Sequence, residues 1–292
     1  MEKRQGGMTA AGYLKHCHGC SRRMITRLKQ GRGSLAVNGR LLERLTERLA
    51  AGDLLELRLE PEPLSFFPNP ALAVPPLYED EDIAVFSKPA GMPVHPSHLH
   101  REDTLANFFA ARCIETGEQA GFHPLNRLDR DTSGLCLIAK HPLAADRLAE
   151  RVEKRYYAVA EGMVDPPEGT LSFPIARAEG SIILRRVSPD GKPAVTHYRT
   201  LMQGNGHTLL EIRLETGRTH QIRVHFSHIG HPLAGDELYG GSRLLIPRQA
   251  LHCGELRFPH PISGEALSFS APVPEEMRRL LRPVAPPFSE TP

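Results

Sequence analysis

Eight residues, Arg127-Leu128-Asp129-Arg130-Asp131-Thr132-Ser133-Gly134, run directly into the apolar stretch Leu135-Cys136-Leu137-Ile138-Ala139. The apolar stretch reads as a buried strand, and the octapeptide reads as a polar turn that feeds it. One carboxylate, Asp129, therefore stands between two arginines at the mouth of a core strand. A nearby cation favours the ionised form of a carboxyl group, and a positioned, ionised aspartate is a nucleophile or a base. Taken alone, an R-x-D triplet is better read as an ion pair that closes a loop. The surrounding sequence decides between the two.

Strands dominate that surrounding sequence. Ile83–Lys88 reads as a strand broken by Pro89-Ala90-Gly91, Tyr156–Ala160 as another, and Thr208–Leu214 as a third. Ile182–Val187 and Ala194–Leu201 read as a hairpin joined by Ser188-Pro-Asp-Gly-Lys-Pro193. Helices are expected over Pro142–Glu153, with proline near the start, and over Thr219–Ile229, closed by Gly230. Many strands with few helices between them predict an α+β fold on a largely antiparallel mixed sheet with flanking helices.

Charge divides the chain further. Its net charge is +2 over 292 residues, yet no acidic residue lies between Glu2 and Glu43 while nine Lys and Arg do. A basic unit on a mildly acidic body predicts a module that holds a polyanion, most often nucleic acid. Ser21 can cap a short helix through Lys29, with Met24, Ile25 and Leu28 at helical spacing. Arg22, Arg23, Arg27, Lys29 and Arg32 cover its other faces and its end. Asn38-Gly39 between short apolar runs signals a hairpin, and Gly52-Asp53 turns the chain into the alternating strand Leu54–Leu59.

The expected units are thus a basic module at 12–60, a linker at 61–76, a main domain at 77–283 and a tail at 284–292. The linker holds six prolines in sixteen residues and should be semi-rigid, with Phe66 and Phe67 docked onto a domain. Five scattered cysteines fit a reducing cytoplasm rather than a disulfide framework. No apolar run approaches the ~18 residues that cross a bilayer, and Met1–Ala11 lacks the apolar core of a signal peptide.

Five stretches align with one family. They are Ser87-Lys-Pro-Ala-Gly-Met-Pro-Val-His95, the octapeptide, Lys154-Arg-Tyr-Tyr-Ala158, Gly191-Lys-Pro-Ala-Val-Thr196, and Thr216-Gly-Arg-Thr-His-Gln-Ile-Arg-Val-His225 continuing through Gly230–Asp236. In order and spacing the chain resembles the RluA-type RNA pseudouridine synthases. The first unit is similar to the alpha-L RNA-binding module of a small-subunit ribosomal protein, although a leading helix before Ser21 has little signal here. The resemblance implies isomerisation of specific uridines in structured RNA; ribosomal and transfer RNA both fit, and the extra basic module favours ribosomal RNA. An isomerisation needs no cofactor or metal, and a monomer is expected. Asp129 matches the catalytic aspartate, Tyr156 the tyrosine that packs on the target uracil, and Arg223 the arginine paired with the aspartate. Arg127 matches an RNA-contacting position, Arg218 and His220 lie in the motif that carries Arg223, and Arg22, Arg23, Arg27 and Lys29 are expected on RNA. One departure is Asn126, where many members carry histidine.

The chemistry suits these residues independently of kinship. Breaking and remaking a bond to ribose needs a carboxylate, a cation beside it and an enclosed pocket that retains the free base. It also needs an aromatic side chain to help offset the few kcal/mol that flipping a base costs. Two alternatives remain in view: a non-catalytic RNA-binding or ribosome-assembly factor, and a nucleoside hydrolase using Asp131 as a second acid. His220, His225, His228 and His231 lack the H-E-x-x-H arrangement of a zinc site, and Cys17-x-x-Cys20 lacks a second pair.

Overall fold

The computed structural model describes residues 7–31, 33–60, 62 and 65–282. Arg32, three linker positions (61, 63 and 64) and the expected tail lie outside the described residues. Two helices, α1 (Ala10–Cys17) and α2 (Arg22–Lys29), open the chain. They are followed by the antiparallel strands β1 (Gly33–Val37), β2 (Arg40–Leu41) and β3 (Leu55–Leu59), ordered β2-β1-β3. The Ser21 hydroxyl accepts from the Met24 N–H at 3.2 Å and starts α2. Asn38 and Gly39 both take positive φ, 52° and 81°, as a two-residue hairpin loop requires. The expected leading helix is α1. Thr9 caps it at 3.1 Å from the Gly12 N–H, but it buries only Ala10 and Leu14, too few to write an apolar stripe.

The rest of the chain builds β4 (Pro76–Glu79), β5 (Ile83–Lys88), α3 (Leu105–Thr116), β6 (His123–Pro124), β7 (Ser133–Ala139) and α4 (Pro142–Leu148). There follow β8 (Glu153–Glu161), β9 (Glu168–Ser172), β10 (Ile175–Arg177), β11 (Arg185–Val187), β12 (Val195–Gly204) and β13 (His207–Leu214). Last come α5 (Gln221–His228), β14 (Leu251–Pro259), β15 (Ala266–Ser270) and α6 (Glu275–Arg279). Ten strands form one sheet along β4-β5-β7-β14-β8-β13-β12-β9, with β15 on β14 and β6 on β7. The β7–β14 pairing is parallel and the others are antiparallel. This is the α+β mixed sheet that the strand-rich pattern predicts. No described helix is long and apolar enough to cross a membrane.

Four details differ from the sequence expectations. The helix at Pro142 ends at Leu148, because Arg151 N–H closes a turn on Leu148 and Glu153 already pairs with Arg257 of β14. Ser188–Pro193 does turn the chain, but it links two sheets: β11 pairs with β10, while β12 pairs with β13 and β9. Strand β14 is central yet unannounced, since His252, Gly254 and Glu255 interrupt its apolar pattern at an irregular register between Cys253 and Glu255. Of the two linker phenylalanines Phe66 docks, edge-on to Phe122 at 5.7 Å, whereas Phe67 is 74% exposed.

The octapeptide enters the sheet at β7, which is buried along its whole length between β5 and β14. Gly134 makes that entry possible. Its φ is +111°, and a Cβ there would collide with the backbone of Cys253. Gly134→Ala is therefore expected to cost about 3 kcal/mol or more, from backbone strain plus steric overlap. Thermal or chemical unfolding of the variant measures it, and near-wild-type stability would contradict this account of the junction.

Candidate active site

Buried donors grip the octapeptide from behind. Leu128 is buried, and the Thr132 N–H closes a turn on the Asp129 carbonyl at 3.1 Å. Lys88, 1% exposed, donates from Nζ to the carbonyls of Met92 (2.6 Å), Pro89 (2.9 Å) and Arg130 (3.0 Å). Burial pulls its pKa down to about 8. Arg248 donates to the Asp131 carbonyl at 3.1 Å and to Ser133 Oγ at 3.2 Å. Asn126 also belongs to this scaffold. Its amide donates to the Leu135 carbonyl at 2.8 Å and accepts from the Leu137 N–H at 2.9 Å, so both ends of the side chain bind β7.

In front of the loop stands α5. Arg223 Nη1 donates to Asp129 Oδ2 at 2.9 Å. Its Nε and Nη2 are held by the two oxygens of Asp236, at 2.7 and 2.8 Å. Burial opposes the charge on Arg223, but its hydrogen bonds to Asp236 and the charge of Asp129 outweigh it and raise the guanidinium pKa. The Tyr239 ring covers Arg223, with 4.9 Å from Cζ to the ring centroid. Asp236 and Tyr239 are site residues that the sequence left without a role. The signal for Asp236 was its place in the last motif: a buried arginine that reaches Asp129 needs a second acid to hold it.

Asp129, Tyr156, His220, Arg127 and Arg218 line one cleft of ≈ 1350 Å³. The side chain of Asp129 is 27% exposed there. Tyr156 lies on β8 between Ile212 of β13 and Cys253 of β14. Burial holds its pKa far above the ordinary tyrosine range, so it remains a neutral phenol. Arg127, Lys154, Arg213 and Arg218 add cations to the walls, and among the described residues none has a carboxylate within 4 Å. Asp131 turns away: both its oxygens accept from Arg130 at 2.9 Å, and it does not line the cleft. Asp131 is therefore not placed to act as a second acid beside Asp129.

Outside the cleft, Arg22, Arg23 and Lys29 lie exposed on α2. Arg27 differs from the expectation. It bonds Glu62 at 2.6 Å, and Glu62 also meets His123 at 2.6 Å, so the positive charge of Arg27 is answered within the fold. The four histidines of the α5 region do not converge. His225 joins Thr196 and the Phe173 carbonyl, His231 the Glu161 carbonyl, and His228 stacks edge-on to Phe173.

A family model described as RNA pseudouridylate synthase matches residues 82–228. The "Uncharacterized RNA pseudouridine synthase YjbO" of Bacillus subtilis (strain 168) is 43% identical, over 90% of this chain and 95% of its own length. The "Ribosomal large subunit pseudouridine synthase D" of Escherichia coli O157:H7 is 38% identical, over 87% and 83%. Among solved structures, "Human RNA Pseudouridylate Synthase Domain Containing 1" shares 26% identity at a TM-score of 0.57, covering 73% of this chain and 86% of that one. The chain belongs to the RNA pseudouridine synthase family, of the RluA type that its motifs resemble. It is an isomerase that converts uridine in RNA to pseudouridine.

The scaffold under the loop titrates. Burial lowers the His252 pKa from 6.5 to about 4, while its Nδ1 meets Ser133 Oγ at 2.8 Å. Between these two values the unfolded chain binds a proton that the folded chain does not. Stability from this group is therefore complete above about pH 6.5 and falls as the pH drops towards 4, by up to about 1.4 kcal/mol per pH unit. Denaturant titrations of wild type and His252→Gln across that window should show a steeper acid loss for wild type. Parallel curves would refute the linkage.

Proposed function

We propose that Asp129 acts on the ribose of a uridine drawn out of its helix into the cleft, with Arg223 as its fixed counter-charge and Tyr156 packed on the uracil. The observation that carries this reading is the 2.9 Å pair of Asp129 and Arg223, which lines one pocket together with Tyr156. Arg223 engages Oδ2, and among the described residues Oδ1 has no hydrogen-bond partner. Oδ1 is thus the oxygen that meets the sugar, either attacking the anomeric carbon or taking the proton on its neighbour. The bond from sugar to N1 breaks, the retained uracil turns, and C5 bonds the same carbon. The C5 proton leaves as N1 gains one, so no oxidant, reductant or net acid is consumed. As a neutral phenol, Tyr156 contributes its ring face and a hydroxyl able to relay that proton.

The RNA is ribosomal in this reading, and the enzyme works as a cytoplasmic monomer. Support for the target comes from the names of relatives such as the large-subunit synthase D and from the exposed Arg22, Arg23 and Lys29 on α2. Phosphate contacts of this kind fix register and leave sequence unread. A protein acting only by binding RNA would have no use for the buried charge relay behind Asp129.

Asp129→Asn should abolish release of the carbon-5 hydrogen from uridine-labelled ribosomal RNA while RNA affinity stays within about threefold, since a neutral isostere leaves the surface unchanged. Activity of that variant near wild type would refute the assignment. Replacing Arg22, Arg23 and Lys29 together by alanine should weaken RNA binding and lower the slope of log affinity against log salt by about 2 to 3. Turnover at saturating RNA should hold, and an unchanged slope would place the RNA elsewhere.

A further inference from the structure

His220 opens α5 in the left-handed region, at φ 59°. A non-glycine residue stays there only where its surroundings hold it. Its Nδ1 lies 2.7 Å from the Tyr239 hydroxyl. That hydroxyl already accepts from the Arg185 backbone N–H at 3.1 Å. With the incoming donor supplied, the single hydroxyl proton points to Nδ1, which makes Nδ1 the acceptor and leaves the ring proton on Nε2. Burial lowers the His220 pKa and so favours the neutral ring. Nε2 faces the catalytic acid at 3.8 Å from Asp129 Oδ2, beyond hydrogen-bond length. Among the described residues it has no acceptor of its own. A donor oriented on one side and unoccupied on the other therefore sits on the wall of the cleft.

We propose that His220 Nε2–H is the donor that recognises the ribose 2′-oxygen of the target nucleotide, with Tyr239 as the positioning residue that selects the tautomer. This rests on the reading that Asp129 acts on that ribose, in its form of attack on the anomeric carbon. In a β-nucleoside the 2′-hydroxyl projects from the face opposite the base. A carboxylate displacing the base approaches from that same face, with reacting atoms about 3–3.5 Å apart. A donor just beside the carboxylate then meets the oxygen on the adjacent carbon. Arg223 cannot take this task, because Nε and Nη2 are committed to Asp236 and Nη1 to Asp129. The 2′-hydroxyl is the group that separates RNA from DNA at a given position, so His220 becomes a specificity residue as well as a binding one.

A cycle of two proteins and two substrates tests this in single-turnover assays: wild type and His220→Ala, on RNAs carrying uridine or 2′-deoxyuridine at the target position. Each single change should slow the reaction about 100-fold, the loss typical of one preorganised donor. Both together should cost less than about threefold beyond either alone, because they delete the same hydrogen bond. Where rates fall below detection, the cycle is read from dissociation constants. His220→Gln, which restores a donor near the Nε2 position, should recover uridine turnover to within about tenfold of wild type on the same scale. Independently, imidazole ¹⁵N shifts should show Nε2–H for His220 in wild type and a mixture of tautomers in Tyr239→Phe. Additive losses, or Nδ1–H in wild type, overturn the inference. Asp129→Asn in the same assay separates the causes: if it is active, the ribose reading itself fails, and if it is inactive while the losses add, only the role of His220 fails.

Discussion

A buried guanidinium placed between two acids is the constraint on which the site depends. Removing a charge from water is expensive unless good partners meet it. Arg223 meets that condition through Asp236, which takes two of its donors in a bidentate grip and fixes the plane of the group. Nη1 is left with one direction, and Asp129 lies along it. The acid on the opposite side is equally constrained, since Lys88 and Arg248 hold the carbonyls of the residues that follow it. The large sheet sets the two sides against each other. It places β7, which receives the loop, and β8, which carries Tyr156, on either side of β14.

Such a site is legible in sequence only in part, and the division follows from what local pattern can encode. Asp129, Tyr156 and Arg223 come from three distant stretches, yet each sits in a run whose order and spacing match one family, and the structure brings all three to one pocket. The Ser21 cap and the Asn38-Gly39 hairpin are local facts, governed by neighbouring residues, and they stand where the sequence puts them. Asp236 is different. Its significance is a bond across thirteen positions to an arginine that a surface reading would leave in water. The partners of β11 and β12 are likewise long-range choices, and no turn signal at Ser188–Pro193 distinguishes a hairpin from a crossing between sheets. Strand β14 hides because His252 and Glu255 have polar tasks within the fold. Arg27 looked like its neighbours on α2 until Glu62, beyond the end of the module, reached it.

That last pairing bears on how the basic module is used. Glu62 joins Arg27 to His123, the Ser21 N–H donates to Asp146 of α4, and Leu143 of α4 packs against the module's own core. These contacts tie α2 to the catalytic body at both a polar and an apolar point. A module held in this way presents Arg22, Arg23 and Lys29 at a set distance from the cleft; on the proposed reading that they bind phosphates, that distance makes them a ruler for the RNA.

The directions in which burial moves the groups around Asp129 also fit the reaction. Tyr156 is raised, His220 is lowered, and Arg223 is raised against its own desolvation by the acids beside it. Each shift carries its group away from neutrality, so the phenol, the imidazole and the guanidinium keep one charge state while substrate binds and reacts. A hydrolase or a transferase needs a side chain that takes and returns a proton within its cycle, and a pKa tuned near neutral pH serves it. Pseudouridine formation returns every proton that it displaces. Groups that hold one charge state around Asp129 are sufficient for that balance.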